Sequence, residues 1–283
     1  MKAGETKNIV ERELSMKKRY IVAAVLLIAM GGYFYVEQKK PVVTRYTYKS
    51  KNIPSAFDGF RILQLSDVHN IKVDKNTIEQ EHPDIIVVTG DLIDDRGAGG
   101  VETINKIRSI APVYYVPGNH EEWRGDYGVR REDIKEAGAI LLEDMSTVIV
   151  KNGQELVLTG VMDSDFSTTP DGQGRNFVQI LENLREPEKF QILLSHRPEK
   201  FTDYVAQGYP LVFSGHAHGG QWNLPFVGAV YAPNQGLFPE YTHGTYTDKD
   251  TTMVVSAGLG WTGIPLRIQN RAEFVSVTLK KTN

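Results

Sequence analysis

The chain has 283 residues, of which 24% are charged, and a formal net charge of −3. This length allows one large domain with a sizeable core, or two small ones. The acidic balance argues against a dedicated nucleic-acid-binding protein. The absence of cysteine excludes disulfides, thiolate zinc sites and cysteine nucleophiles.

An uncharged, largely apolar run covers residues 20–36, between Lys17-Lys18-Arg19 and Glu37-Gln38-Lys39-Lys40. As a helix it would be about 26 Å long, at the lower limit for a membrane span. We predict an uncleaved membrane anchor, with residues 1–19 as a cytoplasmic tail and the rest of the chain outside the membrane. A cleaved signal peptide is the main alternative, because Ala29-Met30-Gly31 matches a small-x-small cleavage pattern. A peripheral or buried helix is the third, although the run lacks a polar face.

Strands and helices alternate in the next part of the chain. Residues 37–58 are predicted as a linker with an edge strand over Val42–Tyr48. Further strands are predicted over Phe60–Ser66, Ile85–Thr89 and Val113–Val116, and helices over Thr77–Glu81 and Val101–Ile110. Short β-branched runs that alternate with helices predict β-α-β units with parallel pairing.

The remainder contains more strands than helices. Strands are predicted over residues 148–150, 155–161, 191–194, 211–213, 253–256 and 273–278, and a helix over Phe177–Leu184. Residues 124–131 and 163–176 are predicted loops. The second contains Asp163, Asp165 and Asp171, which we interpret as solvated because the ligand spacing of a calcium loop is absent. These strands are too many for one open sheet, and two packed sheets with helices outside fit better.

Metal-ligand residues follow several of these apolar runs. They form the clusters Asp67-Val68-His69, Gly90-Asp91, Gly118-Asn119-His120-Glu121, His196 and Gly215-His216-Ala217-His218. Residues i and i+2 of a strand point the same way, so Asp67 with His69, and His216 with His218, could each hold one ion. Gly90 would let the chain turn so that Asp91 faces two ions. Such residues suit a hydrolase in which two ions polarise a phosphoryl oxygen and activate water.

This ordered set resembles the calcineurin-like metallophosphoesterase family from about Phe60 to the C-terminus. The resemblance implies a four-layer α/β/β/α sandwich over residues 59–283 and a dinuclear metal site. One ion would take Asp67, His69, Asp91 and His218, and the other Asp91, Asn119, His196 and His216. A single histidine is more often a core or surface residue than a ligand, and the ordered set of motifs reverses that weighting.

The resemblance also implies roles for residues that are not ligands. His120 would protonate the leaving oxygen or stabilise the transition state, and Asp94 would orient His120. Glu121 stands where the family often has aspartate, and Arg96 is a weaker candidate for a phosphate contact. Histidine, amide and carboxylate ligands without thiolate suit manganese, iron, zinc or cobalt, and the sequence does not choose among them.

Several motifs beyond the ligands resemble a bacterial subgroup of exported or membrane-associated phosphodiesterases, namely Gly219-Gly220-Gln221-Trp222, Leu224-Pro225-Phe226 and Gly258-Leu259-Gly260. This implies attack of a metal-bound hydroxide on a phosphodiester or pyrophosphate, which is lipid-linked in some related enzymes. The aromatic residues Trp222, Phe226, Phe238 and Trp261 would suit an acyl or polyprenyl tail. Alternatively, they pack the rim of the second sheet.

Two other functions stay open at this point. The chain could be a membrane-tethered binding module that holds metal without turnover, or a nuclease that shares the metal motifs. The acidic balance and the predicted anchor argue against a nuclease, and no ligand or acid histidine is missing, which argues against an inactive module.

Overall fold

The computed structural model describes residues 3–39, 41–69, 71–94, 99–169, 171–261 and 266–283. It divides into two compact units, residues 1–40 and residues 41–283. The first unit is the helix α1 (Ala3–Lys39). Within the described residues, no helix combines the length and the apolar character that a bilayer span requires. The anchor predicted over residues 20–36 is therefore unconfirmed, and its side chains at positions 34 and 36 lie outside the described set.

The second unit contains strands and short helices. The strands are β1 (Val42–Ser50), β2 (Arg61–Leu65), β3 (Ile85–Thr89), β4 (Val113–Val116), β5 (Ala139–Leu141), β6 (Met145–Lys151), β7 (Gln154–Gly160), β8 (Gln191–Leu194), β9 (Leu211–Ser214), β10 (Asn223–Leu224), β11 (Gly228–Ala229), β12 (Tyr231–Ala232), β13 (Gly236–Leu237), β14 (Gly244–Asp248), β15 (Thr251–Val255) and β16 (Glu273–Lys281). The helices are α2 (Lys75–Gln80), α3 (Gly99–Ile107), α4 (Asn119–Trp123), α5 (Tyr127–Glu136), α6 (Phe177–Leu184) and α7 (Phe201–Gln207).

Two six-stranded sheets form the framework of this unit. The first sheet has the order β1-β16-β2-β3-β4-β5, and the second has the order β14-β15-β9-β8-β7-β6. Strands β2 to β5 pair in parallel, which confirms the predicted β-α-β units. Strand β1 pairs with β16 from Val42 opposite Glu273 onward. The predicted domain boundary at residue 59 therefore lies inside this compact unit.

Three apolar cores separate four layers. One core lies between the sheets and joins side chains such as Ile62 and Val87 of the first sheet to Leu158 and Phe213 of the second. A second core packs the first sheet against α2, α3 and α5, and a third packs the second sheet against α6 and α7. Strand β3 is buried along its whole length, as expected for a strand that is covered on both faces. The predicted α/β/β/α layering matches this arrangement.

One predicted loop is wrong. Residues 124–131 were expected to be irregular, but α5 begins at Tyr127. This helix buries Tyr127 and Ile134, and Arg130 pairs with Asp126 and Asp133 on its surface. Its mainly charged sequence has too little apolar periodicity to indicate a helix. Helix α7 and the hairpins β10–β11 and β12–β13 also have no counterpart in the sequence prediction.

Candidate metal centre

Four of the predicted ligands form one group. Potential ligand atoms of Asp67, His69, Asp91 and His218 all lie within 4.8 Å of one another, and all four residues are buried. His69 Nε2 is 3.3 Å from His218 Nε2, which is 3.4 Å from Asp67 Oδ1. In a tetrahedral site with bonds of about 2.1 Å, neighbouring ligand atoms are about 3.4 Å apart. The group therefore has the dimensions of one metal coordination shell.

Asp91 also belongs to a second group, with His196 and His216. His196 Nε2 lies 3.2 Å from Asp91 Oδ2, 3.2 Å from His216 Nδ1 and 3.1 Å from Asn119 Oδ1. Asp91 Oδ2 also faces His69 Nε2, at 3.8 Å. One carboxylate oxygen thus faces both groups, as the bridging ligand of a two-metal site would. The predicted division into two ligand sets agrees with this arrangement.

Contacts at the other ring nitrogens hold the two imidazoles of the second group in place. His196 Nδ1 donates to the Thr89 carbonyl oxygen at 2.8 Å, and His216 Nε2 is 2.9 Å from Asn234 Oδ1. With the proton on Nδ1, His196 Nε2 is free to offer a lone pair to an ion. This nitrogen then faces acceptor oxygens of Asp91 and Asn119, and His216 Nδ1 lies beside it. A cation satisfies all of them together, so the residues fit a metal ion.

The titration behaviour of the site fits the same reading. Burial would lower the pKa of His196, but the charge of Asp91 and its hydrogen bond outweigh it and raise that pKa to about 10. Burial holds the pKa values of His216 and His218 well below their usual range. Burial raises the pKa of Asp67 to about 6. Neutral imidazoles beside carboxylates provide ligand atoms, and without a metal the Asp91 charge holds a proton on His196.

Each predicted ligand follows the carboxyl end of a strand, but strand geometry does not place them. Strands β2 and β9 end at Leu65 and Ser214, before the paired ligands begin. Five ligand positions instead have left-handed backbone, with φ of 50° at Asp67, 46° at His69, 51° at Asp91, 64° at His216 and 47° at His218. Such backbone costs on the order of 1–3 kcal/mol per residue and clusters at functional sites. Left-handed loop backbone, and not the alternation of a strand, therefore brings Asp67 beside His69 and His216 beside His218.

Two glycines allow the ligand loops to approach one another. A Cβ atom on Gly90 would lie 2.3 Å from His196 Nδ1, and one on Gly118 would lie 2.3 Å from Asp91 Oδ1. Gly90 also has a φ of +83°, as the predicted sharp turn before Asp91 requires. Any larger residue at either position would displace a ligand.

Glu121 joins two of these loops through hydrogen bonds to their backbone. Its carboxylate is fully buried and accepts backbone N–H groups from Asp91, Ile93 and Gly118, at 3.0, 3.0 and 2.7 Å. Burial, reinforced by the neighbouring Asp91 charge, raises the pKa of Glu121 to about 7. The sequence signalled this residue by its place in the motif, but not its structural role.

Two contacts to His216, from Arg197 and from Asn234, were not predicted from the sequence. Asp163, predicted to be solvated, is fully buried and forms a bidentate pair with Arg197 at 2.6 and 2.8 Å. Arg197 Nη1 lies 3.2 Å from His216 Nε2. Asn234 reaches the same nitrogen from the turn between β12 and β13. Neither Asp163 nor Asn234 stands in a motif that indicates its contact with Arg197 or His216.

The two predicted non-ligand residues also lie beside the groups. The His120 ring is 4.8 Å from that of His69 and 5.1 Å from that of Trp123, between centroids. The His120 backbone N–H donates to Asp91 Oδ1 at 3.0 Å. Asp94 Oδ2 lies 3.6 Å from His69 Nδ1, where it can orient a ligand ring, and its predicted action on His120 stays a prediction. Arg96 lies outside the described residues.

A cleft of about 560 Å³ opens over the ligand groups. Its walls include His120 and the apolar side chains of Trp123, Trp222, Val230 and Leu237. Phe226 and Phe238 are exposed, Phe226 completely. The alternative that they pack the rim of the second sheet is therefore wrong for these two residues.

A four-layer sandwich with two ligand groups that share a carboxylate at its strand ends is typical of two-metal phosphoesterases. Residues 60–220 match the family model for calcineurin-like phosphoesterase, and each predicted ligand lies in that range. The chain belongs to this family and is a hydrolase of phosphoric ester bonds.

The chain is also similar to named metallophosphoesterases and, more distantly, to a solved structure. The chain is 34% identical to the uncharacterized metallophosphoesterase YkuE of Bacillus subtilis over 284 residues, or 93% of this chain and 94% of YkuE. It is 28% identical to a Bos taurus transmembrane protein with metallophosphoesterase domain, over 95% of this chain and 64% of that protein. The phosphopantetheinyl hydrolase PptH of Mycobacterium tuberculosis superposes with a TM-score of 0.45 at 14% identity, over 71% of this chain and 91% of PptH.

Proposed function

We propose that the chain is a two-metal phosphodiesterase. The observation that carries this proposal is that Asp91 Oδ2 faces both ligand groups, 3.2 Å from His196 Nε2 and 3.8 Å from His69 Nε2. Asp67, His69, Asp91 and His218 would hold one ion, and Asp91, Asn119, His196 and His216 the other. When bound, the two ions would polarise the phosphoryl oxygens and lower the pKa of the attacking water.

His120 is the residue that we assign to the leaving group. It lines the cleft and is held by its backbone N–H to Asp91, so its imidazole stands beside the ligand groups. From there it can donate a proton to the oxygen that leaves phosphorus. Asp94 supports the arrangement through its contact with His69.

The walls of the cleft favour a diester over a monoester. No lysine or arginine is among the described residues that line it, whereas its walls include tryptophan, tyrosine, valine and leucine. A monoester dianion would gain from an added cationic group. A diester carries one charge, and its second substituent can lie on the apolar wall. An apolar or lipid-linked substituent suits this wall best.

We also propose that α1 attaches the chain to a membrane. Large apolar side chains of α1 are exposed, among them Ile21, Leu26 and Ile28. The Bos taurus relative is named a transmembrane protein. Protease treatment of intact cells tests the proposed outward orientation, because a domain that stays undigested while the cell is intact would contradict it.

Metal-dependent hydrolysis tests the reaction. The full chain, purified in detergent, would be stripped with chelator and supplied with manganese or zinc. Bis(p-nitrophenyl) phosphate and p-nitrophenyl phosphate would then be assayed in parallel. We expect hydrolysis of the diester that returns with metal and is lost in Asn119→Ala. Two tightly bound ions without turnover of any ester, lipid phosphodiesters included, would instead indicate a binding module.

The leaving-group role of His120 has its own test. His120→Ala should lower kcat by about 10²- to 10⁴-fold for a diester with an alkoxide leaving group. The loss should be smaller for p-nitrophenolate, which leaves without a proton. His243→Ala is the matched control, because His243 is exposed and is not among the residues that line the cleft. An equal loss for both leaving groups would refute proton donation by His120.

A further inference from the structure

The two hairpins beside the cleft expose apolar side chains. Hairpin β10–β11 presents Phe226, which is completely exposed, together with Leu224 and Val227, which are 40% and 53% exposed. Hairpin β12–β13 presents Leu237 and Phe238 at 68% and 67%. We call these five side chains the hairpin surface. Exposed apolar clusters of this kind mark sites of contact with a partner or a membrane.

The segment that carries the hairpin surface is unusual for this chain. Residues 219–239 contain no lysine, arginine, aspartate, glutamate or histidine, although 24% of the whole chain is charged. The polar residues of the segment are neutral, and Trp222 and Tyr231 line the cleft behind the exposed side chains. Uncharged loops with aromatic and aliphatic tips, and with Trp and Tyr behind them, suit the boundary between lipid headgroups and acyl chains.

The position of the chain entry points to the same occupant. The compact unit begins at Pro41, and Val42 pairs with Glu273. The Glu273 backbone N–H donates to Gly258, where an added Cβ would lie 2.8 Å from the Asp67 Cβ. The second unit therefore begins at the end that holds the ligand groups. The hairpin surface lies at that end too, because Trp222 pairs with Ile268 and lines the cleft.

We infer that the hairpin surface docks into the interfacial region of a lipid bilayer and brings the mouth of the cleft to the membrane. Phe226, Leu237 and Phe238 would enter the acyl boundary, and the ligand groups would stay in the protein behind them. This contact is additional to any attachment through α1, and it does not depend on the reaction proposed above.

Environment-sensitive labels on the full chain test the docking. Since the chain has no cysteine, Phe226→Cys and Phe238→Cys each give one labelling position for the fluorophore NBD. Val150→Cys is the matched control, because Val150 is 64% exposed. It pairs with Glu155, at the end of β7 that lies away from Gly160 and therefore away from the ligand groups. Circular dichroism would show that each labelled chain is folded.

Vesicles of phosphatidylethanolamine and phosphatidylglycerol should give a blue shift and brighter emission at positions 226 and 238, and no change at 150. Lipids with a quencher on the acyl chain should dim the first two labels only. Vesicle co-sedimentation without a shift at either hairpin position would mean attachment through α1 alone and would overturn the inference. A lipid-independent shift that grows with protein concentration would identify a second copy as the occupant and would also overturn it.

Discussion

At the scale of single residues, the site depends on contacts that hold each ligand in one orientation. His196 and His216 each have one ring nitrogen in a hydrogen bond and the other in the ligand group. Asp91 has Oδ1 bound to the His120 N–H and Oδ2 turned to both groups. The ordered motifs predicted the residues that the structure brings together in the two groups, because each is adjacent to an apolar run in the sequence. Asn234 and Asp163 could not be predicted, because only the folded chain brings them to His216 and Arg197.

Replacing Asn234 should weaken metal binding. Asn234→Ala removes a side chain that contacts His216 Nε2 and orients the ring, and changes of this kind typically cost 10- to 100-fold in metal affinity. Isothermal calorimetry with manganese on the stripped protein would measure the loss. Asn183→Ala, which changes an exposed amide on α6, is the control and should leave the affinity for manganese unaltered. Equal affinities in Asn234→Ala and the parent protein would contradict an orienting role for Asn234.

Gly118 should tolerate no side chain. In Gly118→Ala the new Cβ would lie 2.3 Å from Asp91 Oδ1 and 2.6 Å from the Asp91 backbone nitrogen, so Asp91 must move. We expect loss of metal binding and a lower melting temperature. Gly128→Ala meets nothing within 4 Å inside α5 and should stabilise the protein by about 0.5–1 kcal/mol. Melting curves with and without metal would compare the two, and a Gly118→Ala protein that binds two ions would oppose this account.

The buried Arg197–Asp163 pair should be important for stability. Arg197→Met leaves the Asp163 carboxylate buried without its main partner, which should cost about 3–5 kcal/mol in the free energy of unfolding. Lys75→Met breaks an exposed i,i+4 pair with Glu79 and should change that energy by less than about 0.5 kcal/mol. Urea denaturation in chelator would measure both changes. Similar values for the two variants would show that Arg197 has another role.

At the scale of elements, the strongly apolar strands were predicted well, and the surface elements were not. The sequence prediction for β3, β4, β8 and α6 agrees with the structure in its bounds. These elements carry continuous apolar runs or a regular apolar face. Helix α5 and the hairpins β10–β13 bury few of their own side chains. Their sequences therefore have little of the apolar pattern from which an element can be predicted.

Helix α6 offers a test of the outer layer on the second sheet. Leu181 is completely buried in the core that α6 and α7 share with that sheet. Leu181→Ala should lower the free energy of unfolding by about 2–5 kcal/mol. Val178→Ala, on the same helix, removes a side chain that is 45% exposed and should cost clearly less. Chemical denaturation of both variants would decide, and equal losses would contradict the assigned face of α6.

At the scale of the whole molecule, both sheets direct their ligand loops to one shared end. Asp67, Asp91 and Asn119 follow strands β2, β3 and β4 of the first sheet, and His196 and His216 follow β8 and β9 of the second. The two groups can share Asp91 only because the sheets pack face to face through their common core. The sequence implied this layering by resemblance and by its number of strands. It indicated Phe226 and Phe238 as candidates for contact with an acyl tail, but not their exposure on the hairpin surface, because exposure is a property of the fold.

The most direct test of the account is the number of metal ions that one chain binds. The chelator-treated full chain would be reconstituted with manganese, passed through a desalting column and measured by inductively coupled plasma mass spectrometry. The shared Asp91 predicts two ions per chain, fewer than one in Asp91→Asn, and two in the control His243→Ala. A single ion in the parent protein, or two ions in Asp91→Asn, would contradict a two-metal site built around Asp91.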